Sequence, residues 1–413
     1  MNTHHIVIVD PLSTGALYAQ AFAKLGFACI GVLSRDDLND CIMSDLRKED
    51  FVAVRVLHAG LVDELKRIGV HAVVAGCETA IHAADRLADQ LGCMGNSVLT
   101  SDCRRHKDVM QAALARAGLP HITSHRLDDP VQIDPLVAHL PAGSYVVKPI
   151  NSAATDGVHV ANGPGQVRER LQSAPWGQLN DLRERNLGFI VQPFITGPEY
   201  VVDMVAAGGA FAVASVCRYE KIARNGGQFV YRGLDVLDPH AAELAPLIAY
   251  ARSAAAALDI RIGPVHMELI WSPQGPVMVE AGARLHGGIA PKLFARCYEP
   301  HLLEVATHAH VHANLDGVPA SSQLVRPGRI AFLITDKAHE FTGVPHDTLA
   351  ALTALPSYQG HKHFHQPGEW LPLTADFATC PGIVWLSHDD PGQMRADELR
   401  CRELLRHREP AFT

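Results

Sequence analysis

Residues 266–288, HMELIWSPQGPVMVEAGARLHGG, constrain the fold more tightly than any other stretch of the chain. Two apolar runs flank a Ser-Pro-Gln-Gly turn, the pattern of a β-hairpin whose short connection makes its strands antiparallel neighbours. Glu268 and Glu280 stand near the ends of those runs, so the hairpin sets two carboxylates close together on adjacent strands. A carboxylate within an apolar run is costly to bury unless it is paired or holds a metal. Two such groups suit Mg²⁺, which takes carboxylates, water and substrate phosphates. Arg284 follows at once and offers a planar fork for an anion beside the metal, with the glycine pair Gly287-Gly288 just beyond. On spacing alone, strand-face carboxylates paired with nearby arginines are an equal reading.

At 413 residues, with 47% hydrophobic and 19% charged side chains, the chain can bury a full core and is expected to form two or three α/β domains. Its net charge of −8, with no Lys/Arg-rich block, argues against nucleic acid or an anionic membrane as partner. No apolar run approaches the length of a membrane-spanning helix, and MNTHH does not read as the start of a secretory signal. Nine scattered cysteines without a C-x-x-C pair are the pattern of reduced thiols, so a cytoplasmic protein is expected.

Strand and helix signals alternate through residues 1–100, with IVIVD at 6–10, a helix ending at Gly26, then ACIGVLS and VHAVVAG. Alternation of this kind implies parallel strands covered on both faces, a Rossmann-like domain. G-x-G-x-x-G is missing after the first strand, which argues against dinucleotide binding. SDCRRHKDVMQAALARAGLP predicts a helix capped by Ser101 or Asp102 and stopped by Gly118 and Pro120. Strands follow at SYVVKPI, FIVQPFI and GPEYVVDMVAAGGAFAVASVCRYEK, ahead of the glutamate hairpin. The expected division is 1–100, then 101–325 in two parts (about 101–190 and 191–325), then a smaller α+β domain over 326–413.

Lys148 closes the strand YVVK just before the small-residue loop 151–157. Such a lysine can neutralise phosphate while backbone N–H groups and the hydroxyls of Ser152 and Thr155 wrap the oxygens, although a plain surface loop has the same composition. Lys107, read alone, is a solvated helix lysine. VQPFITGPEY can serve as a hinge whose backbone meets a flat base, with Glu199 taking ribose hydroxyls, or as an ordinary strand connection. His361, His363 and His365 alternate, so one strand would put all three on one face. No carboxylate or cysteine completes a metal site there, and packed or solvated histidines are the better reading. Ser13-Thr14-Gly15 is either a ligand contact at the strand ends or a helix cap. None of the cysteines stands in the setting of a nucleophile.

Taken in order, these pieces resemble the ATP-grasp superfamily of carboxylate–amine ligases over most of the chain: a pre-ATP-grasp domain, a two-part grasp and a small C-terminal domain. The family's two phosphate-contacting lysines fall on Lys107 and Lys148. Its adenine hinge falls on Gln192, Pro193, Phe194 and Ile195, and its ribose carboxylate on Glu199. Glu268 and Glu280 match its magnesium ligands, and Arg284 its phosphate-contacting arginine. Two positions depart from the pattern. Gly282 stands where many members carry a further asparagine ligand, and Pro193 where an acidic hinge residue is common. VDPLSTG, VVAGCETAIHAADRLADQLG and VEAGARLHGG look most like the L-amino acid ligases that make dipeptides.

The resemblance implies ATP and Mg²⁺ as cofactors, with two ions expected and Mn²⁺ as a substitute, and amino acids as small-molecule substrates. A homodimer is the assembly considered. The implied reaction makes an acylphosphate and then an amide. Arg284 and the Gly287 and Gly288 amides would hold the acylphosphate and oxyanion, and loop 151–157 would be a lid. Arg224, Tyr231 and Arg232 in RNGGQFVYRGL are candidate contacts for an acidic or polar substrate. Two rival readings stand beside the dipeptide ligase: an amide synthase taking a non-proteinogenic acid in natural-product biosynthesis, and a non-catalytic nucleotide-binding sensor.

Overall fold

A computed structural model describes residues 4–38, 43–152 and 155–405. The first three residues of the MNTHH opening and residues 153–154 of the expected lid loop lie outside the described residues. Near the N-terminus, β1 (His5–Val9), β2 (Ala28–Leu33), β3 (Ala53–Val56) and β4 (Val70–Ala75) form a parallel sheet in the order β3-β2-β1-β4. Ile6 and Ile8 of β1 pack with Tyr18 and Phe22, while Val7 and Val9 pack with Leu61, Leu65 and Leu87. Successive side chains thus serve opposite cores, which is why this strand is apolar throughout.

The turns leaving β1 and β4 cross at the strand ends. A Cβ on Gly76 would lie 2.2 Å from the Asp10 carbonyl oxygen, and one on Gly15 would lie 2.4 Å from that of Gly76. Only glycine permits this approach. The wholly buried Asp10 carboxylate accepts from the Ser34 amide, the Ser34 hydroxyl and the Thr79 hydroxyl, fixing the crossing. Ser13, Thr14, Glu78 and Thr79 are left at the crevice beyond the strands, the usual ligand side of such a sheet.

A small antiparallel sheet follows, with β5 (His125–Leu127), β6 (Ser144–Pro149), β7 (His159–Asn162) and β8 (Phe189–Pro193) in the order β5-β8-β6-β7. A larger sheet takes β9 (Glu199–Ala207), β10 (Ala210–Arg224), β11 (Gly227–Leu237), β12 (Gly263–Ser272) and β13 (Gly275–Gly282). It continues into β14 (Gly328–Phe332), β15 (Tyr358–His363) and β16 (Gly382–Ser387), giving the order β13-β12-β9-β10-β11-β14-β16-β15. The segment expected as a C-terminal domain therefore adds its strands to the central sheet, through the pairing Gly233↔Ala331. Buried Arg329 on β14 ties the junction by donating to Asp235 at 2.5 Å, to Glu398 at 2.6 Å and to Glu220. One face of the large sheet is covered by the helices Ala290–Cys297 and Leu302–His312, the other by Ala245–Ala257 and Lys107–Arg116.

The expected helix from Ser101 is interrupted. Residues Val98–Arg104 form a 3-10 helix, and the α-helix begins at Lys107 with His106 in extended conformation before it. The break frees the Lys107 amide to donate to the Ile150 carbonyl at 3.0 Å, and Arg105 turns in to bond the Asn151 carbonyl and Glu184. Of the alternating histidines, His361 and His363 share β15 while His365 lies beyond it. His361 meets the Tyr358 hydroxyl at 2.5 Å and His363 stacks on Phe341, so both are packed side chains. No helix among the described residues is long and apolar enough to cross a membrane. Eight described cysteines are free thiols.

Arg104 is wholly buried and staples the N-terminal domain to the larger lobe. It donates to Asp85 at 2.9 Å, to the Ser97 carbonyl, and to the Leu258 and Asp259 carbonyls at 3.2 and 3.1 Å. Replacing Arg104 by Met should cost about 3–5 kcal/mol, because it strands a buried carboxylate. Urea unfolding checks this, and a loss below about 1 kcal/mol, the scale of a surface pair, would contradict the assignment.

Candidate active site

The β12–β13 hairpin pairs Glu268 directly with Glu280, and its register shifts immediately after Glu268. The register running out from the turn would have set Glu268 opposite Val279, with Glu280 on the other face. That shift, a β-bulge, puts the two carboxylates opposite each other on one face. That face closes a cavity of about 470 Å³ between the small and large sheets. Lys107, Lys148, Ser152, Thr155, Gln192, Pro193, Phe194, Ile195, Glu199, Glu268 and Glu280 all line it. Lys107 is buried, not solvated; its ammonium lies 3.0 Å from Glu280 and also meets the Ser152 carbonyl. The Ser152 hydroxyl donates to Asp156 at 2.6 Å. At the hinge, Gln192 donates to the Ser124 hydroxyl at 2.7 Å, and the Phe194 amide to the Ser144 carbonyl at 2.9 Å. Glu199 accepts from Lys221 at 2.7 and 2.8 Å, and Lys221 also lies over the Tyr231 ring.

A second cavity, of about 300 Å³, meets the first at Tyr219, Tyr231, Glu268 and Glu280. Arg284, Gly287 and Gly288 line it, as do Ser13, Thr14, Glu78 and Thr79 from the N-terminal domain. Arg224 and Arg232, expected as substrate contacts, do not face either cavity. They pair with Asp336 at 2.7 Å and Glu220 at 2.6 Å on the outer surface, and only Tyr231 of that trio points inward. The strand alternation of β11 explains the split between Tyr231 and Arg232.

Several charged groups at the site carry no local sign of their role. The Arg284 Nε donates to Glu78 at 2.9 Å, and Arg105 stands 3.7 Å from the same carboxylate. Glu78 is held below the usual carboxylate range: burial alone would raise it, but Arg284, Arg105 and Lys107 outweigh that. A Cβ on Gly282 would come within 2.9 Å of the Glu78 carboxylate, so the Glu78–Arg284 pair occupies the space an asparagine would need. Behind Glu268 runs a buried relay, with His266 Nε2 3.4 Å from Glu268 and its Nδ1 3.0 Å from Asp203, which His286 also meets at 2.9 Å. Burial opposes charge on His266, yet bonds to Asp203 and Glu268 push it up to about 9. Burial likewise opposes charge on Glu268, but His266 pulls it down to about 2. Glu268 is therefore held ionised, the form in which a carboxylate can take a metal.

Lys148 has the opposite fate. Burial, followed by the nearby charge of Lys107, lowers it to about 8 against the pull of Glu280, Glu268 and Glu199. A lysine held this way is poised to gain from an anion placed beside it.

An ATP-grasp domain model matches residues 119–288. Dapdiamide A synthase of Enterobacter agglomerans is 26% identical over 413 residues, spanning 98% of this chain and 96% of its own. Among solved structures, L-amino acid ligase from Bacillus licheniformis superposes with a TM-score of 0.77 at 17% identity, covering 97% of each chain. Carboxyaminoimidazole ribonucleotide synthase from Aspergillus clavatus, complexed with ATP, gives 0.70 at 12% identity and 98% of each chain. At these identities the two structures speak for the fold.

The lowered Lys148 yields a pH signature. Its proton leaves as pH rises through about 8, so affinity for a non-hydrolysable ATP analogue should fall between about pH 7 and about pH 9, below the range of an ordinary lysine. Lys148→Arg, which keeps its charge, should remove that alkaline limb. Titration calorimetry that finds the same pH dependence in both proteins would assign the limb to another group.

Proposed function

The chain belongs to the ATP-grasp superfamily of carboxylate–amine ligases, and on that premise we propose that it joins the carboxylate of one amino acid to the amine of another, giving a dipeptide, ADP and phosphate. The meeting of two cavities at one carboxylate pair carries this reading: lysines line the first, and Arg284 lines the second. A carboxylate oxygen of the first amino acid attacks the γ-phosphorus of ATP, and the bond to the ADP oxygen breaks. The neutral amine of the second then attacks the acyl carbon. Collapse of the tetrahedral adduct expels phosphate with the bonding pair, and the amine nitrogen releases its proton to solvent.

Positioning and charge neutralisation dominate such chemistry. Lys107 and Lys148 neutralise the phosphate oxygens, with Ser152 and Thr155 beside them. Gln192, Pro193, Phe194 and Ile195 receive the adenine. The Phe194 amide is committed to Ser144, so the base relies on other groups of that segment. Glu199 and its Lys221 partner border the ribose position. Glu268 and Glu280 offer a hard, all-oxygen donor pair that suits Mg²⁺ or Mn²⁺ better than a soft metal. When bound, the metal neutralises charge on the transferring phosphoryl group. Arg284 holds the acylphosphate, and with the Gly287 and Gly288 amides it meets the oxyanion.

A second reading has one specific support. The match to dapdiamide A synthase over 98% of this chain keeps an amide synthase of natural-product biosynthesis, taking a non-proteinogenic acid, level with the dipeptide ligase. A nucleotide sensor gains nothing from the second cavity or its arginine. The free thiols agree with a cytoplasmic setting.

Phosphate release from ATP and Mg²⁺, scanned over single and paired L-amino acids with mass spectrometry of the products, separates these readings. The dipeptide ligase predicts release that requires a particular pair, together with the matching dipeptide mass. ADP formation with no amino-acid requirement would sink it. In the same assay, Arg284→Ala should retain nucleotide binding and lose roughly 10²-fold or more in rate, the scale of removing an oxyanion donor. A pure loss of nucleotide affinity would instead place Arg284 at the nucleotide.

A further inference from the structure

We infer that the second cavity selects an amino acid with a bulky apolar side chain, aromatic or aliphatic, and that Phe332, Phe364 and Phe377 set this preference. Resting on the ligase reading above, this adds the class of side chain that the site accepts. The cavity, about 300 Å³, is lined by two unlike groups of residues. One is charged and interlinked: Glu78 pairs with Arg284, and Glu268 with His266, beside the nucleotide cavity. The other is a continuous apolar wall of Leu234, Ile330, Phe332, Phe364, Phe377 and Ile383. Phe377 binds that wall together, with its ring centroid 6.1 Å from Phe332, 5.9 Å from Phe364 and 5.7 Å from Tyr231.

A substrate carboxylate must face Glu268, Glu280 and Arg284 to react, so its side chain extends toward the apolar wall. The charged lining groups already have partners at the reacting end: Glu78 with Arg284, Glu268 with His266, and Glu280 with Lys107. The arginines closest in sequence to that wall, Arg232 and Arg329, are committed to Glu220 and Glu398. A charged side chain would thus lose its hydration with no partner in return. A glycine or alanine would leave the wall uncovered, forgoing the contacts that fill such pockets. The volume lies at the small end of the roughly 300–1,000 Å³ usual for ligand pockets, enough for one such side chain but not for a long chain.

The test uses the full chain with ATP and Mg²⁺, comparing kcat/KM across Leu, Ile, Met, Phe, Ala, Asp and Lys at a fixed partner. In parallel, melting temperature is measured with each single amino acid and a non-hydrolysable ATP analogue. Leu, Ile, Met or Phe should exceed Ala, Asp and Lys by about 10- to 200-fold, the range a hydrophobic pocket can discriminate. The preferred residue should also raise the melting temperature. Phe364→Ala and Phe377→Leu should each raise KM for the preferred residue more than they lower kcat, with the melting temperature of the free protein confirming the fold. Best turnover with Asp or Lys would overturn the pocket assignment and leave the ligase reading intact. If no amino acid stimulates phosphate release, the ligase reading fails, and the melting data still decide the pocket: protection by none of the apolar residues overturns it as well.

Discussion

Two glutamates facing each other across a hairpin, Glu268 and Glu280, set the terms for everything around them. Like charges this close and this poorly solvated repel, and the protein answers with cations from separate parts of the chain: Lys107, Lys148, His266 and Arg284. The burial that makes each charge costly also strengthens its attraction to the next, so the set is stable only when nearly complete. The lowered Lys148 shows the balance from the other side. Beside Lys107 and out of water, it holds its proton less firmly than a surface lysine. Added negative charge from phosphate, with a divalent cation on the carboxylates, fits this arrangement without disturbing its signs.

The N-terminal domain is part of that balance. Glu78 lies on the turn after β4 and reaches Arg284 at 2.9 Å across the crevice. The turn itself is held by the crossing at Gly15 and Gly76 and by the buried Asp10. Arg104 locks the helix Ile81–Leu91 of this domain to the lobe carrying the hairpin, which keeps Glu78 in register with Arg284. At the other end, Arg329 performs the matching task by tying β14 to β11 and to the final helix, thereby fixing the aromatic wall. The two cavities are thus bounded by parts of the chain whose relative placement depends on a few buried ion pairs.

What the sequence made legible was local. The hairpin follows from two apolar runs and a Ser-Pro-Gln-Gly turn, which bring Glu268 and Glu280 close on adjacent strands; their direct pairing depends on the bulge after Glu268, which no local signal announces. Lys148 was readable because a strand ends on it. Lys107 drew notice only through resemblance, since its burial depends on a helix break imposed by Arg105 and Ile150. Glu78 stands 206 positions from Arg284 and carries no periodic signal at all. Asp203 did offer one: a carboxylate inside the apolar run EYVVDMVAA demands partners, though nothing nearby named His266 and His286. The late strands were expected as strands, but strand order is a non-local property, so their union with the central sheet appeared only in three dimensions. The same holds for Arg224 and Arg232, whose carboxylate partners turn them away from the site.

The most direct test of the central claim follows one oxygen atom. The account has a substrate carboxylate oxygen bonded to the γ-phosphorus before the amide forms, and that oxygen leaves with phosphate. An amino acid labelled with heavy oxygen in its carboxylate, turned over with ATP and its partner amine, should therefore deliver a single labelled oxygen to the released phosphate. Phosphate free of label would contradict the acylphosphate, and with it the role assigned to the carboxylate pair and Arg284.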